Sequence, residues 1–208
     1  MKAGACAPAH LDDGTCWVPG EDGTGWSRGR LPDRFRAAAL PAVCVELSQA
    51  RAYARWAKAR LPTDSEFERA ARAGRKGARY PWGDAPADCS RAVMPDASGD
   101  GCGRKGTWPP CSKPRGDAGG LCDMAGNVWS FVEADAGPVV EAGEGMCAAS
   151  KDGGAFPGPG RPLARGGSWR MNPAYLRVSF RFPVLPFCPY STGGIRLFVS
   201  TPSPNPGK

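Results

Sequence analysis

Histidine is all but missing from this chain, and that scarcity closes off a good deal of chemistry. His10 is the single imidazole in 208 residues, and with no Cys-x2-Cys pair present the usual Cys/His zinc site cannot be assembled. Hydroxyl–imidazole–carboxylate catalysis could draw only on His10, which stands in a loop where the sequence identifies no partner for it. Long apolar runs are missing as well. Nothing reaches the roughly 18 residues of a bilayer-spanning helix, and "MKAGACAPAH" lacks the apolar core of a signal peptide, so any export signal is expected outside this chain. Nor is there a basic stripe: 27 Lys and Arg are scattered among 20 Asp and Glu for a net +7, and the longest basic run is "GRKGAR" at 74–79. That argues against a nucleic-acid partner and for a basic solvated surface. No phosphate-cradling loop, internal repeat or interdomain linker is visible. With 41% hydrophobic residues, one core and a single domain over 1–200 are expected, with "TPSPNPGK" at 201–208 as a frayed tail.

Cysteine, by contrast, is abundant. Nine in a chain of this size point either to bound metal or to disulfides, and the spacing favours disulfides. Cys6 and Cys16, Cys89 and Cys102, and Cys111 and Cys122 each bracket a short Gly/Pro/Asp-rich loop, as local staples would. Each such staple would contribute roughly 3 kcal/mol in the chain-entropy model. The odd count leaves at least one thiol free, with Cys44, Cys147 and Cys188 as candidates. This cysteine usage favours an exported or cell-surface protein.

Local patterning places two short helices early and β-rich sequence late. Residues 1–40 read as loop with short strand candidates such as "TCWV". Ala50, Tyr53, Ala54 and Ala57 recur at helical spacing with Arg51, Arg55 and Lys58 opposite, which predicts an amphipathic helix over 47–59 capped by Ser48. In "LPTDSEFERAARAG", 61–74, Thr63 and Glu66 form a capping box, Phe67, Ala70 and Ala71 the apolar stripe, and Gly74 the stop. The acidic residues of this segment are explained by capping and solvated charge. Residues 75–120 read as a long irregular segment tied by its cysteines, and 134–162 as another. "LARGGSW", "LRVSFRF" and "GGIRLFVS" then read as β-rich runs, with Leu176, Val178 and Phe180 alternating like the inner face of a strand.

Five stretches in order, "RLPTDSEFERAARAG", "YPWGD" (80–84), "GLCDMAGNVWSF" (120–131), "ARGGSW" (164–169) and "GGIRLF" (193–198), resemble the formylglycine-generating enzyme, or sulfatase-modifying factor, family. The resemblance implies an α+β fold of the C-type lectin kind, with two short helices, a twisted antiparallel sheet and much irregular loop. The family's opening "GGxFxMG" strand and "EVT" segment have no counterpart here. In "DMAGNVW" the resemblance implies a tight turn running into a core strand, where Gly126 allows close backbone approach and Asn127 either bonds locally or helps to hold a structural calcium ion. The acidic residue that the family usually places three positions further on is Ser130 here. On the residues alone, Gly126 relieves φ, Asn127 satisfies backbone groups and Trp129 packs.

Oxidising members of the family place a pair of cysteines shortly after Gly-Gly-Ser-aromatic to hold copper, since two soft thiolates suit Cu(I). Here the segment after "GGSW" is "RMNPAYL", 170–176, with no cysteine, and Met171 offers only a weak thioether. The superfamily's three-histidine iron branch is excluded by the single histidine. The expectation is therefore a non-catalytic ligand-binding module, with a copper-dependent oxidoreductase converting a target-peptide cysteine to formylglycine as the alternative.

The expected contact surface lies in 170–192. Past Arg181, "FPVLPFCPY" carries Pro183, Pro186 and Pro189, which cannot donate in a central strand, so an irregular loop exposing large apolar groups is expected. Arg170, Met171, Asn172, Tyr175, Phe182, Val184, Leu185, Phe187, Tyr190 and Ser191 are the candidate contacts for a protein or other macromolecular ligand. Framework "GGSW", "LR" and "GIRL" alternating with chemically mixed positions is also similar in layout to the variable proteins of diversity-generating retroelements.

Overall fold

Two short tryptophan-bearing strands form a hairpin near the start of the chain. In the computed structural model, which describes residues 9–20, 25–135, 162–185 and 187–199, β1 (Cys16–Pro19) pairs antiparallel with β2 (Trp26–Gly29). The "TCWV" strand is thus present. Its cysteine is not paired with Cys6, which lies outside the described residues. Cys16 bridges to Cys44 across 28 positions, because β1 turns Cys16 inward onto a cluster with Leu31, Phe35, Val43, Val93 and Trp169. Cys89–Cys102 and Cys111–Cys122 pair as the spacing predicted and tie down the long irregular segment. Cys188 is disulfide-bonded as well, so neither it nor Cys44 is the free thiol. Cys147 and the tail 201–208 lie outside the described residues.

Helix α1 (Leu47–Trp56) is shorter than the periodicity suggested, and its cap is Glu46, with Gln49 as the reciprocal partner, instead of Ser48. The Gln49 side-chain Oε1 accepts from the Glu46 N–H at 2.8 Å. The helix ends because Lys58 turns to a φ of 54°. Ala50 and Ala54 are buried as expected. Arg51 does not simply face solvent: its guanidinium forms a two-pronged pair with Glu133 at 2.7 and 2.6 Å. Helix α2 (Asp64–Arg72) has the Thr63–Glu66 capping box in full, buries Phe67 and Ala71, and ends through left-handed Ala73 ahead of Gly74.

The main sheet has the order β5-β4-β3-β6, built from β3 (Trp129–Val132), β4 (Leu163–Arg165), β5 (Phe182–Pro183) and β6 (Gly193–Gly194). The β3–β4 and β4–β5 pairings are antiparallel. The β3–β6 pairing is parallel, so the sheet is mixed where the resemblance implied an antiparallel one. Fold class is α+β, with both helices packed through small residues onto this sheet and its flanking loops.

Residues 176–181 are not a strand, although their alternation is real. Leu176 and Val178 are buried, but Pro173–Leu176 is a 3-10 turn and the carbonyls that follow are taken by a side chain. Arg165, fully buried in β4, donates to the Val178 carbonyl at 2.8 Å and the Phe180 carbonyl at 3.0 Å. The same guanidinium lies 2.8 Å from Glu68 and 3.2 Å from Asp64, and Arg181 reaches both carboxylates at 3.0 and 2.7 Å. The α2 acids are therefore not merely solvated charge. Burial pushes the Arg165 guanidinium down and works against the Glu68 carboxylate, but Arg72 and Arg165 hydrogen bonds hold Glu68 below its ordinary range.

Two stability experiments follow from this arrangement. Removing one member of a buried ion network leaves the others uncompensated, so Arg165→Gln is expected to cost about 3–5 kcal/mol in urea unfolding; a loss no larger than that of an average surface change would show that the network does not hold the 177–181 segment. Hydrogen bonds from Arg60 and the Thr63 N–H hold the Glu66 carboxyl at about 2, against an ordinary value of 4.5. A carboxyl depressed in the folded state stabilises above its unfolded value and loses that contribution as pH falls through its folded one. Glu66→Gln should accordingly flatten the stability loss between pH 4.5 and about 2, and Thr63→Ala should cost about 1 kcal/mol at neutral pH.

Candidate functional site

The site region hangs from two turns that lock together. Gly126 (φ 81°) and Asn127 (φ 63°) carry the chain into β3, and a Cβ on Gly126 would lie 2.7 Å from the Val93 carbonyl oxygen. The Gly126 N–H donates to the Gly166 carbonyl and the Trp169 N–H to the Asn127 carbonyl, both at 2.8 Å, joining "AGN" to "GGSW". Buried Asn127 brackets Trp108 with its side chain: Oδ1 accepts from the Trp108 N–H and Nδ2 donates to the Trp108 carbonyl, each at 3.0 Å, and the same carboxamide hydrogen-bonds the Asp123 carboxyl. Trp169 is buried against Phe35 and donates through Nε1 to the Ser191 carbonyl. The glycines and the asparagine inside a core segment are thus the means by which three loops are closed on one strand.

This donor set does not fit a calcium ion at Asn127. Its amide oxygen is engaged, Ser130 is buried and carries no charge, and the Asp123 carboxyl, pushed up by burial, accepts from the Cys111 N–H at 2.8 Å. Among the described residues no group of three or more His, Cys, Asp or Glu is placed to hold a metal. The residues after Trp169 do not fit a copper thiolate pair either. Arg170 to Leu176 contain no cysteine, and Cys188 is committed to a disulfide.

His10 is better connected than the sequence suggested. Its Nδ1 lies 2.5 Å from Asp13 and 2.8 Å from the Thr15 hydroxyl, and its Nε2 is 3.4 Å from Glu46. The Thr15 hydrogen bonds, followed by that of His10, hold the Asp13 carboxyl at about 2. Carboxylates stand at both ring nitrogens, and the Thr15 hydroxyl donates to Asp13 at 2.6 Å. The cluster therefore ties the loop before β1 to the cap of α1.

The predicted contact residues divide into frame and surface. Ser191 is fully buried, with its N–H on the Trp17 carbonyl, and belongs to the frame. Asn172 caps the 3-10 turn, accepting from the Ala174 N–H at 2.9 Å. Met171 and Tyr175 lie half-buried beside Tyr80, Trp82 and Leu176. Phe182 stacks on Trp129 with centroids 5.0 Å apart, Val184 packs beside α1, and Leu185 and Phe187 are half-buried. None of them is among the large apolar side chains that stand exposed, which within the described residues are Trp56, Leu121 and Val199. The loop folds back because its proline carbonyls remain acceptors: the Pro189 and Tyr190 carbonyls take the N–H groups of Trp17 and Cys44.

The N-terminal hairpin joins this surface, which sequence reasoning missed. Tyr190 lies between Trp17 and Trp26, with centroids 6.0 and 5.1 Å away. The Arg28 guanidinium lies over Trp17 at 5.5 Å and that of Arg170 over Trp26 at 4.9 Å. Arg170 is held there by Asp100 and by the Gly25 carbonyl. The available signal was a pair of tryptophans flanking a Gly/Asp turn; nothing in it says which distant segment they meet.

Comparison with known proteins agrees with this architecture. The chain is 38% identical over 133 residues to the formylglycine-generating enzyme of Mycobacterium tuberculosis (strain ATCC 25618 / H37Rv), a match covering 60% of this chain and 44% of that one. It is also 38% identical over 96 residues to the inactive C-alpha-formylglycine-generating enzyme 2 of Bos taurus, covering 44% of this chain and 32% of the relative. The chain thus spans less than half the length of these relatives. Among solved structures, PvdO from Pseudomonas aeruginosa superposes with a TM-score of 0.58 at 22% identity, over 94% of this chain and 72% of that one, a likeness of fold. Residues 11–201 match the sulfatase-modifying factor enzyme 1-like domain, and the chain belongs to that family.

Proposed function

We propose that this chain is a non-catalytic binding module on the formylglycine-generating enzyme scaffold, taking a protein or other macromolecular ligand on the surface of its C-terminal block and N-terminal hairpin. The observation that carries this reading is the segment after "GGSW". Arg170 to Leu176, where the resemblance would place the thiolate pair, contains no cysteine and ends in the Pro173–Leu176 3-10 turn, and the remaining thiol of the block is tied up in a disulfide. That one similar relative, from Bos taurus, is named as inactive supports this reading. In place of the thiolates stand aromatic rings and guanidinium groups, side chains enriched at binding hot spots. Diversification of this block by a retroelement would fit the same surface. Three disulfides among the described residues suggest an oxidising, exported setting, and no helix there is long and apolar enough to cross a membrane.

The similarity to a named formylglycine-generating enzyme supports the alternative, copper-dependent oxidation of a target-peptide cysteine. Metal analysis after Cu(I) loading, together with oxygen uptake in the presence of a cysteine-containing peptide, separates the two. Neither stoichiometric copper nor peptide-dependent oxygen consumption is expected, and observing both would replace the binding reading with the catalytic one.

Binding energy should concentrate in rings held by the frame, since they lose little entropy on docking. For a macromolecular ligand recovered by cross-linking to the native protein, Phe187→Ala is expected to weaken binding by about 2 kcal/mol. Tyr190→Ala should do the same and also lower the melting temperature, because the ring fills the space between Trp17 and Trp26. Arg104→Ala, whose guanidinium lies over Trp108 and not over the surface rings, should leave affinity unchanged. Calorimetric titration of the three variants would reassign the working face if Arg104 mattered and the two aromatic changes were silent.

A further inference from the structure

We propose that the cleft between the C-terminal half of α1 and the start of α2 binds a small organic monocarboxylate with a short apolar body. None of its lining residues lies in 170–192, so this site stands apart from the macromolecular surface and its failure would not bear on that reading. The cleft measures about 350 Å³, within the range of small-molecule sites. Ala54, Ala59 and Leu61 supply apolar lining, and Arg51, Arg55 and Arg60 supply the cationic groups.

The three guanidinium groups are not equivalent. Arg51 commits Nε and Nη2 to Glu133, which fixes its fork, and its Nη1 donors meet no acceptor among the described residues. Arg60 is fixed in the same way on Glu66, at 2.5 and 2.7 Å. Arg55, one helical turn beyond Arg51, is exposed and has neither an ion-pair nor a hydrogen-bond partner among the described residues. Among the described residues three positive groups thus line the cleft against two carboxylates, and like charges at i and i+4 on one helix repel.

A monoanion bound between Arg51 and Arg55 relieves that repulsion and accepts from a planar fork suited to carboxylate geometry. A dianionic phosphate would bring a second negative charge beside Glu66 and Glu133, and the alanine and leucine lining gives it nothing to desolvate against. The lining instead favours a short branched or linear hydrocarbon body.

Calorimetric titration of the full chain at low salt with 4-methylpentanoate tests the proposal. Saturable one-to-one binding is expected, with 4-methylpentanamide and inorganic phosphate at least about tenfold weaker. Arg55→Gln should weaken the acid at least about tenfold while keeping the parent melting temperature, because the side chain it removes holds nothing else in place. Amide resonances of Ala54, Ala59 and Leu61 should shift on binding. Absence of saturable binding, equal affinity for the amide, a preference for phosphate, or an unchanged Arg55→Gln variant would each overturn the assignment.

Discussion

A guanidinium with no access to solvent is the constraint around which this fold is arranged. Arg165 cannot be buried alone, since desolvating a charge costs several kcal/mol unless it is paired and hydrogen-bonded. Its pairing needs Asp64 and Glu68 from the first turns of α2, and its remaining donors need the carbonyls of Val178 and Phe180. One side chain thereby sets the distance of a helix from the sheet and the path of the chain between β4 and β5. It also explains why an alternating apolar segment is not a strand: the carbonyls a strand would offer to a neighbour are already accepting from Arg165.

The second joint is made of backbone. Gly126 and Asn127 take left-handed φ values so that β3 can begin directly under Val93, and "GGSW" closes onto the same turn. Asn127 acts there as a two-sided bracket for the Trp108 peptide, doing with a carboxamide what a bound ion could do elsewhere. Trp169 and the turn that follows it inherit their position from this joint, and with them the segment in which the family's oxidising members carry thiolates.

The surface so positioned is composite. The hairpin contributes Trp17, Trp26 and Arg28, and the C-terminal block contributes Tyr190 and Arg170, with Cys16–Cys44 stapling the hairpin to the core beneath. Its rings are half-buried and braced by one another. For the association proposed above, a face of this kind is pre-organised, which would lower the ordering cost, but it would couple affinity to stability because the same rings support the frame.

What the sequence by itself determined was whatever depends on short-range spacing. The α2 capping box, the apolar stripe of Phe67 and Ala71, the Cys89–Cys102 and Cys111–Cys122 disulfides, the turn before β3 and the absence of a thiolate pair after "GGSW" all follow from residues within about a dozen positions of each other. Tertiary structure decided the rest. Cys16 found Cys44 instead of Cys6, the α2 acids met Arg165 and Arg181 roughly a hundred positions away, and Tyr190 settled between two tryptophans from the hairpin. Local pattern reports which side chains must leave water or must find a partner. Which partner each one finds is set by the packing of segments that the chain brings together only when the whole core closes.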